Sequence, residues 1–358
     1  MGTSSSRTSN SSGNSRFTTR NNSKTAFDPT SPPASSGSGS NSQLAKSLNR
    51  RRSAKNSLES PNSSDVSNHK DIRMLPSPQE GDEEEFRWID GRRYHNSTSL
   101  YMLPNDAQEV DRLHLQHYIL KVALEGNIHV PLPENGRVID FGCGPATWCM
   151  DMATENQTVN FVGVDISAIF PTAIFPRNCN FYQENFLDGV SQPDSTFDVV
   201  FQRNVSCGLT FELWQKAMAE AFRVLKPGGY YECVEAEYML HNCGPFTTEY
   251  FEHLLMIMAY GSVDPLLVRS LDRLMVAAGF RDVKVKEYYV PIGQWGGKIG
   301  VMWQQNVLTG MSAVKSQLSK TAGMTEEQVA DAVVRLEKEL SEGRTHSIVH
   351  VVSGRKPE

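Results

Sequence analysis

Apolar runs and amphipathic segments alternate along this chain from Phe86 onward. Arg137 to Phe141 predicts a buried strand, which leads into a tight glycine turn and the start of a helix. Further strands are predicted at Asn160 to Asp165, Asn180 to Gln183 and Phe197 to Phe201. Strands that alternate with helical segments are typical of an α/β domain.

The amphipathic segments predict helices beside these strands. Asn105 or Asp106 can cap a helix from about Ala107 to Glu125, and Gly126 can end it as the glycine after the C-cap. We expect this helix to cover the mouth of a ligand site. Phe211 to Leu225 predicts a second helix, whose regularly spaced apolar residues belong to the core.

The pattern changes towards the C-terminus. Lys226-Pro227-Gly228-Gly229 is expected to stop the second helix, and Tyr230 to Glu235 begins a fifth strand. Beyond Cys243, helices are predicted over Thr247 to Tyr260 and Pro265 to Ala278. An alternating strand, Val283 to Val290, follows them.

Glycines and aromatic residues are concentrated between Pro291 and Trp303. This segment is either a mobile lid over a substrate or a tight turn packed on the sheet. Thr325 and Gln328 form a capping-box pattern for a helix through Leu340, and Ser347 to Val352 predicts the last strand.

Composition divides the chain into two parts. Residues 1–70 contain 21 serines and almost no apolar run, too little to offset the entropy of ordering. We therefore predict that residues 1–85 are a disordered, Ser-rich, basic tail that ends in an acidic run. Residues 86–358 are predicted to form one folded domain.

The tail carries candidate signals. Arg50-Arg51-Arg52 fits a nuclear-import signal, a patch for an anionic surface, or a solvated basic linker. Met1-Gly2 with Ser6 matches the N-myristoylation pattern, which leaves membrane association open as an alternative. The acidic run extends from Glu80 to Glu85.

Cysteine usage and charge narrow the class of protein. The six cysteines have no C-x-x-C spacing, and no secretory signal precedes them. We expect reduced thiols, no metal site, and an intracellular protein, cytoplasmic or nuclear. No apolar run reaches the length of a membrane span. A net charge of −6 argues against general nucleic-acid binding.

The glycine turn after the first core strand has the character of a nucleotide-type loop. Gly142 and Gly144 permit a tight turn and a close ligand approach, and a helix start follows them. Thr147 occupies the position of the third glycine in a dinucleotide fingerprint, which argues against a dehydrogenase. Asp140 would repel a pyrophosphate but attract an amino group. The loop therefore favours a ligand with a cationic, methionine-like tail.

A second acidic residue supports this interpretation. Asp165 ends the second core strand 21 residues after Gly144. A carboxylate near that spacing reaches ribose hydroxyls in nucleotide-binding sheets. The alternative is that Asp165 is only a helix N-cap.

These segments resemble the class I S-adenosylmethionine-dependent methyltransferases, in which a helix, a K-P-G-G turn and a strand commonly follow one another. The chain is more specifically similar to fungal methyltransferases related to the velvet-associated regulator of secondary metabolism. The resemblance spans about Phe86 to Pro357 and is carried, besides the glycine loop and the K-P-G-G turn, by Arg93-Tyr94-His95, Leu103 to Asp106, Arg112-Leu113, His117, Pro291 to Gly293 and Trp295.

This resemblance implies a Rossmann-like fold. We expect a seven-stranded, mostly parallel sheet with its last strand antiparallel and helices on both faces. Residues 86–135 would form an N-terminal cap helix region and residues 136–240 the cofactor-binding core. Residues 241–358 would form a helical insertion and the C-terminal strands.

The resemblance also implies the cofactor, S-adenosyl-L-methionine. Asp140 and the loop would hold its methionine part, Asp165 its ribose, and Asn185 with Phe186 its adenine. Asn185 departs from the usual family aspartate, and the N-P-P-Y motif of many amine and amide methyltransferases is absent after Phe201. The full expected set is Asp140, Gly142, Cys143, Gly144, Asp165, Ile166, Asn185, Phe186 and Arg203.

The implied reaction is in-line displacement of the sulfonium methyl group, for which a general base is optional. The sequence identifies no catalytic residue. His95, His117 and Arg203 are hypotheses for substrate contact or proton handling, and His117 is alternatively a half-buried helix histidine. The acceptor, a small molecule, a lipid or a protein side chain, stays open. A regulatory protein that keeps the pocket but acts through protein partners is the alternative.

Overall fold

The computed structural model describes residues 86–96 and 100–358. The predictions made for residues 1–85 lie outside the described residues. They are the disorder, the basic patch at Arg50-Arg51-Arg52, the acylation pattern at Met1-Gly2 and the acidic run from Glu80. All of them stay predictions.

A short antiparallel hairpin opens the described chain, formed by β1 (Phe86–Ile89) and β2 (Arg92–His95). Asp90 and Gly91 connect the strands with φ of 50° and 74°. Positive φ at both central residues is typical of a type I′ turn, and Asp-Gly is its usual sequence. The Asp-Gly pair is thus a hairpin signal that the predicted strands do not include.

Seven further strands within the described ranges form one sheet. They are β3 (Arg137–Phe141), β4 (Asn160–Asp165), β5 (Cys179–Gln183), β6 (Phe197–Arg203), β7 (Leu225–Ala236), β8 (Arg281–Pro291) and β9 (His346–Arg355). Their order is β5-β4-β3-β6-β7-β9-β8, and β9 runs antiparallel to both of its neighbours. The pairs between β5 and β7 are parallel. The predicted seven-stranded, mostly parallel sheet is confirmed.

Helices cover both faces of this sheet. They are α1 (Ala107–Ala123), α2 (Thr147–Glu155), α3 (Phe211–Val224), α4 (Pro245–Tyr260), α5 (Leu271–Ala277), α6 (Gly297–Ala313), α7 (Lys315–Ala322) and α8 (Glu326–Glu342). Apolar residues of α3 and α5 pack with Ile139 and Phe141 of β3. The other helices pack on the opposite face, with Val138. Burial on both faces explains why the central strands read as continuous apolar runs.

The C-terminal end of α1 corrects one prediction. Glu125, not Gly126, has the left-handed backbone, with φ of 61°. The Gly126 N–H donates to the Lys121 carbonyl at 2.9 Å, which is the long hydrogen bond of a Schellman motif. Glycine is therefore one position past the residue that reverses the chain. Asp106 caps the other end, where it accepts from the Glu109 N–H.

The K-P-G-G segment also differs from the prediction. Lys226-Pro227-Gly228-Gly229 lies inside β7 rather than in a separate turn, beside a register shift between Phe197 and Val199. Lys226 Nζ donates to both Asp198 carboxylate oxygens, at 2.8 and 2.9 Å. This ion pair joins the start of β7 to β6.

The segment between Pro291 and Trp303 is the packed turn and not a lid. Trp295 Nε1 donates to the carbonyls of Ile292 and Thr345, at 2.9 and 3.0 Å. A Cβ on Gly293 would lie 2.3 Å from the Leu340 carbonyl oxygen, so the turn fits tightly against α8. The helix α6 begins inside this segment and was not predicted, because its glycines obscure the helical pattern. The capping box of Thr325 and Gln328 at the start of α8 is confirmed.

Candidate functional site

A cavity of about 570 Å³ opens at the carboxyl ends of β3, β4, β5 and β6. We call it the main cavity. All nine predicted cofactor residues line it, as do His95 and His117. The nine cofactor residues lie at or near the ends of four strands, His95 ends β2, and His117 belongs to α1. The main cavity extends along the glycine loop, Asp165, Asn185 and Arg203.

The glycine loop is fastened by its own backbone. The N–H groups of Gly142 and Cys143 both donate to the Val164 carbonyl, at 2.9 and 3.1 Å. The Gly144 N–H donates to Asp165 Oδ2 at 2.8 Å. Gly142 has φ of 74°, and a Cβ there would lie 2.7 Å from Val205 Cγ1. These three loop N–H groups are thus used within the protein, and the Cys143 carbonyl accepts from the Ala146 N–H at 2.9 Å.

Asp165 supports the loop and faces the main cavity. Its Oδ1 accepts from the Ser167 N–H at 2.8 Å, while Oδ2 takes the Gly144 N–H. Burial raises the pKa of this carboxyl, and the two backbone hydrogen bonds oppose that rise. Because each carboxylate oxygen has two lone pairs, Asp165 can still accept from hydroxyl groups.

Asp140 is a buried carboxyl with little compensation. It is 4% exposed, and Cys149 Sγ lies 3.5 Å from its Oδ2. Burial raises the pKa of Asp140 to about 7, although the Arg203 guanidinium and the Cys149 thiol oppose this. Among the residues that the structure describes, Asp140 forms no ion pair. A cation in the cavity would stabilise its charged form.

The partly exposed Arg203 and the buried His117 form a pair that the sequence did not reveal. Arg203 Nη2 donates a hydrogen bond to His117 Nδ1 at 3.0 Å, and His117 Nε2 lies 3.0 Å from Asp151 Oδ2. An arginine can only donate, so Nδ1 must accept and Nε2 carries the hydrogen that is donated to Asp151. Asp151 also accepts from Lys121 and Asn127, both at 2.7 Å.

The protonation states follow from burial. Burial and the Arg203 guanidinium lower the pKa of His117 to about 4, so the ring is neutral near pH 7. Burial lowers the pKa of Arg203 to about 10, opposed first by Asp140, so the guanidinium keeps its charge. His117 is 1% exposed. The His117 side chain is thus more deeply buried than the half-buried helix histidine of the alternative, and it hydrogen bonds to Arg203 at the cavity wall, while contact with a ligand stays a prediction.

Asn185 and Phe186 line the cavity, but both also have local partners. Asn185 Oδ1 accepts from the Leu187 N–H at 3.1 Å, and Nδ2 donates to Asp188 Oδ2 at 2.7 Å. The Phe186 ring stacks on Phe141, with ring centroids 4.9 Å apart. Asp188 itself lines the cavity, three residues after the asparagine that departs from the family pattern. It is a candidate that the sequence interpretation missed.

Two buried polar groups face the same cavity. His95 Nε2 and Asn105 Nδ2 have no hydrogen-bond partner among the described residues. The side chains are 4% and 2% exposed, and both residues line the main cavity. Burial, followed by the charge of Arg87, lowers the pKa of His95, which favours a neutral ring. A buried polar atom without a hydrogen bond destabilises the protein, so a ligand group that hydrogen bonds to these two atoms would be stabilising.

Asn204 lies where the main cavity meets a second, smaller one. The second cavity, here called the side cavity, has a volume of about 150 Å³ and includes Met102, Tyr238, Phe251 and Met311 in its wall. Asn204 lines both, has φ of 54°, and donates to Gln116 Oε1 at 3.2 Å. Its position directly after the β6 end was the available sequence signal.

The described residues lack two further features. Among residues 86–96 and 100–358, no cluster of three or more His, Cys, Asp or Glu side chains is arranged as a metal site. The helices in the same ranges include none that is both long and apolar enough to cross a bilayer.

The chain is similar to a methyltransferase family and to fungal proteins named as regulators of secondary metabolism. Residues 112–285 match a family described as "Methyltransferase domain". The chain is 27% identical to "Secondary metabolism regulator laeA" of Aspergillus fumigatus over 286 residues, which cover 75% of this chain and 76% of that protein. It is 30% identical to the protein of the same name from Aspergillus flavus over 217 residues, or 57% of this chain. That match spans only 58% of the length of the A. flavus protein.

A third relative carries a more specific name. "Protein-methionine methyltransferase laeA" of Emericella nidulans is 29% identical over 223 residues, covering 59% of this chain and 58% of that protein. Among solved structures, phosphoethanolamine N-methyltransferase 2 of Haemonchus contortus in complex with S-adenosyl-L-methionine is 16% identical. That comparison has a TM-score of 0.41 and covers 70% of this chain and 53% of the other.

Proposed function

We propose, from the premise that the chain belongs to the class I S-adenosylmethionine-dependent methyltransferases, that its main cavity holds S-adenosylmethionine for methyl transfer. The observation that carries this proposal is the convergence of all nine expected cofactor residues on one cavity. They lie at the carboxyl ends of parallel strands, the end at which such sheets bind ligands.

The cofactor's methionine part fits the charged end of this cavity. Asp140 and the carbonyl oxygens of the glycine loop would receive its ammonium group, and the Arg203 guanidinium its carboxylate. The electrostatics support this division, because the buried carboxyl of Asp140 gains from a cation while the guanidinium of Arg203 has no carboxylate hydrogen bond in the described chain. His117 would hold the guanidinium in place.

The nucleoside fits the opposite end. Asp165 would accept from the ribose hydroxyls, with Ile166 beside the sugar. Asn185 and Phe186 would contact the adenine, and the Asn185 amide would be oriented for this by Leu187 and Asp188. In this arrangement the glycine loop and the end of β6 would flank the transferred methyl group.

Methyl transfer itself needs mainly placement. The acceptor's lone pair attacks the methyl carbon in line with the bond to the cofactor sulfur, and that bond's electrons return to the sulfur. The cofactor leaves as a neutral thioether. Holding the two partners in line can contribute about 7–11 kcal/mol of the barrier reduction.

For the acceptor we propose the thioether of a methionine side chain. The support is the name of the E. nidulans relative, which describes a protein-methionine methyltransferase. A thioether acceptor loses no proton, so it requires no general base. This agrees with a site in which no catalytic base is evident from the sequence and the thiol of Cys207 is kept protonated, its pKa raised by burial to about 12.

A regulatory role through protein partners is the second candidate, favoured by the name "Secondary metabolism regulator" of several relatives. Removing residues 1–85 discriminates the two. A deletion that changes localisation or partner binding but leaves turnover unchanged would assign regulation to the tail and catalysis to the remaining chain.

The first experiment is calorimetric titration of S-adenosylmethionine into the full chain. Asp165→Ala removes charge-assisted hydrogen bonds worth about 1.5–3 kcal/mol each, so we expect affinity to fall by roughly tenfold or more. Asp111→Ala, on the exposed side of α1, is the matched control and should bind like the wild type. Because Asp165 also holds Gly144, Asp165→Asn and a thermal unfolding scan separate lost contact from lost folding. Full affinity in a folded Asp165→Ala protein would contradict the ribose assignment.

A further inference from the structure

The side cavity lies beside the main cavity, and its chemistry differs. We propose that it receives the thioether side chain of the methyl acceptor and selects against charged side chains. The proposal rests on the proposed function, since it assigns the acceptor end of the same reaction.

Position is the first argument. Tyr101, Leu113, Gln116 and Asn204 line both cavities, so the two meet along one shared wall. Asn204 directly follows β6, and Arg203 at the end of that strand lines the cofactor end. An acceptor atom held at this wall would therefore lie next to the place where the cofactor's methyl group is expected.

Size and polarity are the second argument. The side cavity measures about 150 Å³, and apolar cavities of about that size hold a benzene-sized group. Met102, Leu240, Leu254, Val307 and Met311 are among its lining residues. One unbranched, uncharged side chain fits both the volume and the surface.

The charged residues in this wall already have partners. Arg112 donates to both carboxylate oxygens of Glu109, at 2.8 and 2.6 Å. Glu237 accepts from His241 and His350, both at 2.8 Å, and from Arg269 at 2.9 and 2.6 Å. A lysine ammonium or a carboxylate entering the cavity would lose its hydration without gaining an uncompensated partner, which is unfavourable.

Aromatic rings give the cavity its preference for sulfur. Tyr101, Tyr238, Phe251 and Trp303 line it, and Trp303 Nε1 is anchored to Ser347 Oγ at 3.0 Å. A thioether gains favourable contacts with aromatic rings. The sulfonium product is cationic, and ring faces attract cations. The same wall thus suits the acceptor before the transfer and the product after it.

The reaction balances without another reactant. A lone pair of the acceptor sulfur forms the new bond to the methyl carbon, and the bond from that carbon to the cofactor sulfur breaks. The positive charge passes from S-adenosylmethionine to the product sulfonium, leaving neutral S-adenosylhomocysteine. No proton is released.

Gly310 offers a direct test. It lies in α6, lines the side cavity, and a Cβ built on it meets no atom within 4 Å. A side chain at this position starts in open space, so Gly310→Leu is designed to occupy part of the cavity, and Gly310→Ala is the matched small substitution. Both replace a helical glycine with a better helix former, so neither should weaken α6.

The assay uses the full chain, S-adenosylmethionine and N-acetylmethionine methylamide as the acceptor probe, with the norleucine and lysine analogues beside it. Mass spectrometry reads the methylated product, and calorimetry reads cofactor binding. We expect methylation of the methionine probe, inhibition by the norleucine analogue and no reaction with the lysine analogue. Gly310→Leu should lower kcat/KM by roughly tenfold or more, equal to about 1.4 kcal/mol, with cofactor affinity kept. Gly310→Ala, which fills less of the cavity, should lower kcat/KM less.

The outcomes separate this proposal from the one it rests on. Failure of the folded wild type to bind S-adenosylmethionine overturns the proposed function itself. Cofactor binding with methylation that Gly310→Leu does not reduce leaves the methyltransferase intact and overturns the side cavity as the acceptor site. Cofactor binding with methylation of the lysine analogue instead overturns the choice of a thioether.

Discussion

Two buried carboxylates near the ends of strands β3 and β7, which β6 separates in the sheet, have opposite electrostatic surroundings. Asp140, at the end region of β3, has a thiol as its hydrogen-bond donor, and burial raises its pKa to about 7. Glu237 follows β7 and is also buried, yet burial is outweighed by His350, Arg269 and His241, which hold the pKa of this carboxyl well below its usual range. The Asp140 carboxyl has no cationic hydrogen-bond partner in the described chain, whereas the Glu237 carboxylate has three side-chain donors.

This difference in hydrogen-bond partners indicates which carboxylate is suited to bind a ligand. A buried charge with complete partners contributes to the fold, and its partners limit what else it can bind. A buried carboxyl with incomplete partners is costly in the empty protein, and a cation that enters beside it recovers that cost. The contrast supports the proposed role of Asp140 in cofactor binding and a structural role for Glu237, and the following variants test both.

The largest expected effect is on stability, from Glu237→Ala. The substitution leaves the buried His350 ring and the partly exposed Arg269 guanidinium without their acceptor, and each hydrogen bond to a charged group is worth about 1.5–3 kcal/mol. Urea unfolding of the full chain measures the loss. Glu249→Ala on the exposed side of α4 is the control, and Glu237→Gln covers the case in which the alanine variant does not fold. A loss no larger than that of the control would remove the structural role.

Asp140→Asn tests the proposed role of the other carboxylate, in cofactor binding. It keeps the shape of the side chain but removes the charge that we assign to the cofactor's ammonium, a hydrogen bond worth about 1.5–3 kcal/mol. We expect S-adenosylmethionine affinity to fall by roughly tenfold or more in a protein that stays folded. Calorimetry beside Asp111→Ala measures this. Unchanged affinity would place the ammonium elsewhere.

The pH dependence of binding sharpens the same assignment. Because the cationic ligand prefers ionised Asp140, whose pKa is about 7, affinity should fall as pH decreases. Between pH 7.5 and 6 the ionised fraction decreases roughly eightfold, and affinity should follow it. Glu235, whose pKa burial raises to about 7, titrates nearby but accepts from the Val205 and Ser206 N–H groups. A profile that Asp140→Asn does not flatten would implicate Glu235 instead.

The smallest effect is expected from His241→Gln. It removes one of three partners of Glu237 but keeps a hydrogen-bonding side chain, and His241 is 28% exposed. With Arg269 and His350 still in place, the loss of unfolding free energy should stay below about 1 kcal/mol, as for exposed ion pairs. Urea unfolding beside Glu237→Ala shows whether the partners are redundant. A loss as large as that of Glu237→Ala would show that they are not.

Local patterns predicted much of the fold. The strand from Arg137 to Phe141, its glycine loop and the strand to Asp165 agree with the structure because apolar runs and glycine turns act within a few residues. The helix α6 was missed because Gly293, Gly296 and Gly300 read as a loop, while their lack of side chains allows close packing against α8 and Pro291.

The local sequence predicted the parallel core and the loop that a nucleotide-type ligand can approach, and the family resemblance supplied nine of the residues that line the main cavity. Only the tertiary structure decided how those residues are partnered. Arg203 and His117 are 86 positions apart, and Arg112 and Asn306 are 194 apart, yet both pairs form hydrogen bonds. The side cavity likewise exists only where α1, α4, α6 and β7 converge. Such contacts depend on packing between distant elements, and no periodicity along one segment records them.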